Sequence, residues 1–210
     1  CVGQSKAELA EALAEYREAG VTNILAIRGD MPGGGEWTAH PDGLANATEL
    51  VRFVKAEGEF CVGVAAFANP HETSNDPELD AQILLDKVEA GAEYAITQLF
   101  FEGERYGELV ARMRGLACEV PIIPGIMPLT VISQIERFAA LSGRDLPAAL
   151  VAQLRACSSK EEVREVGLAS AVRMCRGLLA DGAPGLQFFT QNRSKATREV
   201  LAELKAADPR

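Results

Sequence analysis

Apolar residues recur along this chain in two rhythms. Leu9, Leu13 and Tyr16 fall on one side of a helix that opens with Ser5-Lys6-Ala7-Glu8, a capping box. Gly20 can take the left-handed conformation that ends it. Asn23-Ile24-Leu25-Ala26-Ile27 follows, too short for a helix and apolar almost throughout. Such a run predicts a strand buried on both faces, as in a parallel sheet. The unit then recurs. Asp76-Pro77 opens a helix that ends at Glu89-Ala90-Gly91, with a strand over 94–97. A helix from about Ser159 ends at Ala180-Asp181-Gly182, with a strand over 186–190. Further strands are predicted at 60–66 and 121–124, and helices at about 48–57, 107–116, 130–141 and 194–206.

Helix, glycine, strand in repetition reads as α/β with parallel strands. A doubly wound nucleotide-binding sheet would carry G-x-G-x-x-G after its first strand, and this chain has none. A (β/α)8 TIM barrel instead gathers polar residues at the C-terminal ends of its strands. Here each apolar strand runs into such a cluster: Arg28-Gly29-Asp30, Phe67 to His71, Gln98, and Gln191-Asn192-Arg193. Strands are readable near 24, 61, 95, 122 and 187. A barrel has eight strands and typically about 250 residues. The expectation is one catalytic domain over 1–210 that supplies the last five strands and lacks three N-terminal βα units. Such a piece would leave open sheet edges and would not form a stable, active enzyme alone.

Composition narrows the classes. At 210 residues, with 48% hydrophobic residues, the chain can bury a sizeable core. A net charge of −9 disfavours nucleic acid. No apolar run reaches the roughly 20 residues of a membrane-spanning helix. The start is polar and acidic and lacks Met, so the chain is expected to begin inside a longer one. Cys1, Cys61, Cys118, Cys157 and Cys175 are widely spaced, which fits reduced thiols in a cytoplasmic protein. With His40 and His71 as the only histidines, no metal site is expected. The sequence leaves a homo-oligomer open.

Candidate chemistry sits at the strand ends. Period-two alternation puts Arg28 and Asp30 on one face, to bind a shared ligand or to tie strand to loop as an ion pair. Gly33-Gly34-Gly35 makes a flexible lid, without the Lys and Ser/Thr of a phosphate loop. His71 is a ligand-contacting or a structural histidine. The Gln98 amide can give and accept hydrogen bonds at once, suiting a heterocycle edge, or can cap backbone. Phe138, one turn beyond Gln134, is core by default. With no nucleophile–base pair or close pair of acids, any chemistry belongs to a cofactor that the protein positions.

Four ordered motifs carry a family resemblance. NILAIRGDMP at 23–32 resembles the L-R-G-D-x-P segment of methylenetetrahydrofolate reductases. AGAEYAITQLFF at 90–101 is similar to that family's A-G-A-x-x-x-I-T-Q-x-F-F. PIIPGIMP at 121–128 resembles its I-P-G-I-x-P turn, and FFTQNR at 188–193 its F-Y-T-L-N-R. Order and spacing agree over essentially the whole chain, most like bacterial, actinobacterial-type members.

The resemblance implies a barrel flavoenzyme. NAD(P)H would reduce bound FAD, which would pass the hydride to 5,10-methylenetetrahydrofolate, giving 5-methyltetrahydrofolate for methionine synthesis. It implies that Asp30 lies near the flavin and stabilises the iminium form of the folate. Gln98 would bond the pterin, Phe138 would stack on the substrate with Gln134 beside it, and Arg193 would help hold the folate. Arg28 and Gly29 would line the flavin and Phe67 would pack on it. His71 would reach the cofactor's phosphate or ribose, with Asp80 and Lys87 at its adenosine diphosphate half.

The chain departs from the family pattern at Asn46, where a Tyr is common, and at Ile83 and Asp86, where Asn and Arg occur. It also departs at Phe189 and Gln191. The family's general acid, a Glu on the first strand, would precede Cys1. The competing readings are a non-catalytic flavin- or folate-binding segment that needs a partner, and a generic phosphate-binding barrel. The latter would want a Lys or a Gly-rich turn where Gln191-Asn192-Arg193 stands.

Overall fold

Ser5 caps the start of the first helix, α1 (Lys6–Glu18), as the sequence predicts. Its hydroxyl accepts from the Glu8 N–H, and the Glu8 carboxylate accepts from the Ser5 N–H at 2.8 Å. That hydrogen bonding holds the Glu8 carboxyl below its ordinary range. Gly20 takes φ +78° beyond the helix end, where the Val21 N–H reaches back to Tyr16 O. The computed structural model describes residues 1–133 and 146–207. It contains two compact units. One is Cys1–Ala66 with Glu78–Ile96 and Met113–Pro121; the other is Phe67–Pro77 with Thr97–Arg112 and Ile122–Arg210.

In the first unit, β1 (Asn23–Ala26) pairs in parallel with β2 (Cys61–Ala66), Asn23 against Cys61 and Ala26 against Val64. The strand β3 (Tyr94–Thr97) follows β2 in the sheet order. The crossovers are α2 (Ala47–Glu57) and α3 (Pro77–Glu89). Leu50, Val51 and Val54 of α2 are buried, as are Ala26 of β1 and Val62 and Val64 of β2. Each of the Val and Leu side chains contributes about 1.5–3 kcal/mol on burial, and Ala26 less. The Lys55 ammonium ties α2 to the entry of β3, donating to Glu93 and to the Phe60 carbonyl, each at 2.9 Å.

The second unit holds β4 (Ile122–Ile123), β5 (Gly125–Ile126), α5 (Ala148–Ala156), α6 (Lys160–Ala180), β6 (Gln187–Phe188) and α7 (Lys195–Ala207). The helix α4 (Gly103–Gly115) precedes β4. β5 and β6 pair in parallel, Gly125 against Gln187. Met127, Leu129, Leu146, Leu154 and Val163 form the unit's core cluster. Arg164 of α6 pairs with Glu199 of α7 at 2.5 Å.

The structure matches the predicted fold class, α/β with parallel strands, and differs in detail. The run expected as a strand over 121–124 gives only β4, which stops before Pro124, a residue with no N–H to donate to a ladder, and β5 follows beyond it. The last strand covers only Gln187–Phe188 of the expected 186–190. α4 starts at Gly103 rather than at 107, and α5 has no counterpart among the predicted helices. Most of the helix predicted over 130–141, with Gln134 and Phe138, lies outside the described residues.

Candidate active site

β1 delivers Arg28, Gly29 and Asp30 just beyond its last residue. Gly29 adopts φ +82°, which turns the chain sharply there. The ion pair that Arg28 and Asp30 could make does not form among the described residues. The Arg28 guanidinium instead lies over the indole of Trp37, 5.0 Å from the ring centroid. The Trp37 Nε1–H donates to the Gly29 carbonyl at 3.2 Å. On the other side, the Val2 N–H donates to Arg28 O at 2.9 Å. Asp30 is left exposed. Nothing in the sequence pattern singles out Trp37, except that it is the one tryptophan in the chain and sits in a glycine-rich loop.

Asp80 and Lys87 both lie on α3 in the first unit and are buried. The Lys87 ammonium donates to Ala65 O near the end of β2, at 3.1 Å. Burial holds its pKa below the ordinary lysine range, with the Asp80 charge opposing the shift. At the departures, Asn46 caps α2, its side-chain oxygen accepting from the Glu49 N–H at 2.9 Å. Asp86 accepts from the Gln82 side chain at 3.1 Å, and Ile83 is 39% exposed, an apolar side chain where a polar one would bond.

The second unit carries the remaining candidates. The rings of Phe67 and His71 meet edge to face, with centroids 4.6 Å apart. His71 Nδ1 accepts from the Thr73 N–H at 3.1 Å, so the neutral ring carries its proton on Nε2. Gln98 is exposed at the end of β3, and its side-chain oxygen accepts from the Leu99 N–H at 2.9 Å. The capping role is thus met by the oxygen, while the amide NH2 remains a donor. Beneath it, buried Thr97 accepts from the Gly125 N–H at 2.8 Å. A Cβ on Gly125 would overlap the Thr97 carbonyl and the Phe189 ring. After β6, Gln191 and Asn192 take φ +48° and +59°, and the Arg193 N–H closes the turn on Thr190 O at 2.9 Å. The Arg193 side chain is exposed.

The sequence-predicted residues therefore fall into local groups. Arg28, Gly29 and Asp30 stand together with Trp37, Asp80 and Lys87 lie on one helix, and Phe67 is paired with His71. Gln98 and Arg193 each stand at their own strand end. Among the described residues, no group of three or more His, Cys, Asp or Glu is placed to hold a metal ion. Nor is any helix among them long and apolar enough to cross a membrane.

The family described as Methylenetetrahydrofolate reductase matches residues 1–205. "Methylenetetrahydrofolate reductase 1" of Schizosaccharomyces pombe is 33% identical over 211 residues, covering 99% of this chain and 35% of that protein. "5,10-methylenetetrahydrofolate reductase" of Escherichia coli K12 is 32% identical over 205 residues, covering 97% of this chain and 68% of that protein. The chain thus spans about a third of the fission-yeast relative's length and about two thirds of the bacterial one's. A solved Clostridium thermocellum protein that binds two copies of 5-methyl-5,6,7,8-tetrahydrofolic acid shares the fold. It superimposes with TM-score 0.63 at 15% identity, over 99% of this chain and 71% of that one. By its match to the family over nearly its whole length, the chain belongs to the methylenetetrahydrofolate reductase family.

Proposed function

We propose that this chain is the folate-reducing part of a flavin-dependent methylenetetrahydrofolate reductase. The net reaction takes 5,10-methylenetetrahydrofolate, NAD(P)H and a proton to 5-methyltetrahydrofolate and NAD(P)+. One observation carries the reading: in the Arg-Gly-Asp segment, the Asp30 carboxylate is exposed while Arg28 is engaged with Trp37. Opening the folate's five-membered ring leaves a cationic iminium. An anion already fixed in place stabilises that charge without reorganising as it forms.

The reading of FAD as cofactor is supported by part of the residue set that the family pattern assigns to it. The Phe67–His71 pair offers an aromatic surface against which a flavin could pack. The Asp86 carboxylate, which accepts from the Gln82 side chain, works against a pyrophosphate nearby. Arg28, Gly29, Asp30, Phe67, His71, Asp80 and Lys87 would hold the cofactor. When bound, FAD supplies hydride relay between nicotinamide and folate. The Gln98 amide donates to the pterin edge and Arg193 attracts the folate's carboxylates. Gln134 and Phe138 are assigned to the substrate by the family pattern alone.

The proton that the folate nitrogen takes up on ring opening is assigned to no residue of this chain. We take the compartment to be the cytoplasm, where the five free thiols stay reduced.

The test is anaerobic. The full-length protein should show a flavin absorbance band that NADH or NADPH bleaches and 5,10-methylenetetrahydrofolate restores. Comparing the two nicotinamides assigns the donor. A colourless protein, or a bleached band that the folate leaves unchanged, contradicts the reading.

A further inference from the structure

We infer that Trp37 is a positioning residue for Asp30: it holds Arg28 off the carboxylate and fixes the peptide that leads into it. The inference deepens the functional reading above and rests on it for its kinetic consequence.

An arginine and an aspartate two residues apart, in an exposed turn, would be expected to pair. The guanidinium fork matches a carboxylate, and the charge-assisted bond is among the stronger ones available. Here the guanidinium carbon lies 5.0 Å from the Trp37 ring centroid instead, within the range where a ring face attracts a cation. The same indole donates from Nε1 to the carbonyl of Gly29, the residue between the two. That carbonyl belongs to the peptide unit joining Gly29 to Asp30. One side chain thus grips the cation before Asp30 and the peptide that sets the direction of Asp30.

The loop shows the same arrangement from the other side. Residues 33–36 and 38–39 are exposed, while Trp37 among them is partly covered. Gly33, Gly34 and Gly35 all take positive φ, near +80° for the first two. The loop therefore approaches Trp37 through residues that impose little conformation of their own, and the indole fixes it. A carboxylate already paired with Arg28 would have spent its charge on the protein. Held apart, it keeps that charge for a cationic ligand.

Two arms test this on the full-length protein. The first needs no ligand and follows the Arg28 Nε–H by NMR. Trp37→Leu should move that resonance by removing the ring current. It should also slow the proton's exchange with water, as the guanidinium pairs with Asp30. Adding Asp30→Asn should restore fast exchange. An Arg28 resonance that Trp37→Leu leaves in place overturns the inference, as does exchange that does not slow.

The second arm is kinetic. Trp37→Leu should slow folate reduction by about tenfold and leave nicotinamide oxidation within about twofold. In an Asp30→Asn background Trp37→Leu should slow folate reduction by less than about twofold more, because the carboxylate it positions is already gone. Trp37→Phe, which keeps a ring face but not the N–H, should fall between wild type and Trp37→Leu. Equal losses in both half-reactions, or a full further loss from Trp37→Leu in the Asp30→Asn background, would mean that Trp37 is only scaffold. If the wild-type protein reduces no folate, the functional reading fails and the NMR arm alone decides this inference.

Discussion

The turns after β1 and after β6 both carry an arginine, and both need positive φ, but they are held differently. In the first, the left-handed residue is Gly29, which adopts φ +82° without steric cost. Its open side is closed by Val2, whose Cγ1 would sit 2.8 Å from a Cβ there, and its carbonyl is held by Trp37. In the second, Gln191 and Asn192 are left-handed with no glycine. Each such residue costs about 1 kcal/mol, less for Asn. That turn rests on the β5–β6 pair, where the Phe189 N–H donates to Ile126 O at 2.9 Å. The first turn is clamped from outside by an aromatic loop. The second is forced from beneath by a strand pair, so strain is tolerated where the scaffold is strong.

The largest effect should come from removing that scaffold. Gly125→Ala drives a methyl into the Thr97 carbonyl and the Phe189 ring. It should cost about 1–3 kcal/mol or more and loosen the Arg193 turn, read from the denaturant midpoint. Gly29→Ala attacks the other turn, combining a left-handed alanine with the Val2 contact, and should cost about 1–2 kcal/mol. If it proves neutral, the clamp on the β1 turn is looser than described.

The end of β2 offers a third case, held from within by a buried charge. Burial lowers the Lys87 pKa, so between that value and the ordinary lysine value the unfolded chain binds more protons than the folded one. Stability therefore rises with pH through that window. Below it, the penalty of burying the charge is present in full. Lys87→Met should remove the rise, seen as a shrinking difference between variant and wild-type midpoints toward about pH 10. A constant difference across that range would mean that the lysine stays fully charged.

The smallest effect sharpens the comparison from the strained side. Gln191→Gly should stabilise by about 0.5 kcal/mol, because relief of the left-handed side chain outweighs the added chain entropy. A loss of stability would show that the Gln191 side chain does more than bear the strain.

Much of this arrangement was legible in the chain. The Ser5–Glu8 box, the apolar run before Gln98 and the helix opening at Ser159 each obey local rules, and the structure follows them; the run before Arg28 forms its strand but leaves Leu25, and Ile27 just beyond it, exposed instead of buried on both faces. The rest depends on partners distant in sequence. That Arg28 would leave Asp30 for Trp37 depends on a loop closing back over the strand end. That Gly125 must be glycine depends on Thr97 and Phe189, which periodicity cannot bring together. The left-handed pair at 191–192 has no glycine to announce it. The role of Asn46 was set by its neighbour: Glu49, three residues on, makes it a helix cap.

The account turns on Asp30, and the two half-reactions of Asp30→Asn test it most directly. Asn keeps the shape and removes the charge. Stopped-flow should show folate reduction slowed by about 100-fold, the scale for losing a group aimed at developing charge. Nicotinamide oxidation should stay within about threefold of wild type, because the charge of that step develops on the nicotinamide's pyridinium ring, whereas Asp30 is assigned to the folate's iminium. Equal losses in both half-reactions, or none in either, would contradict the assignment of Asp30 to the folate step.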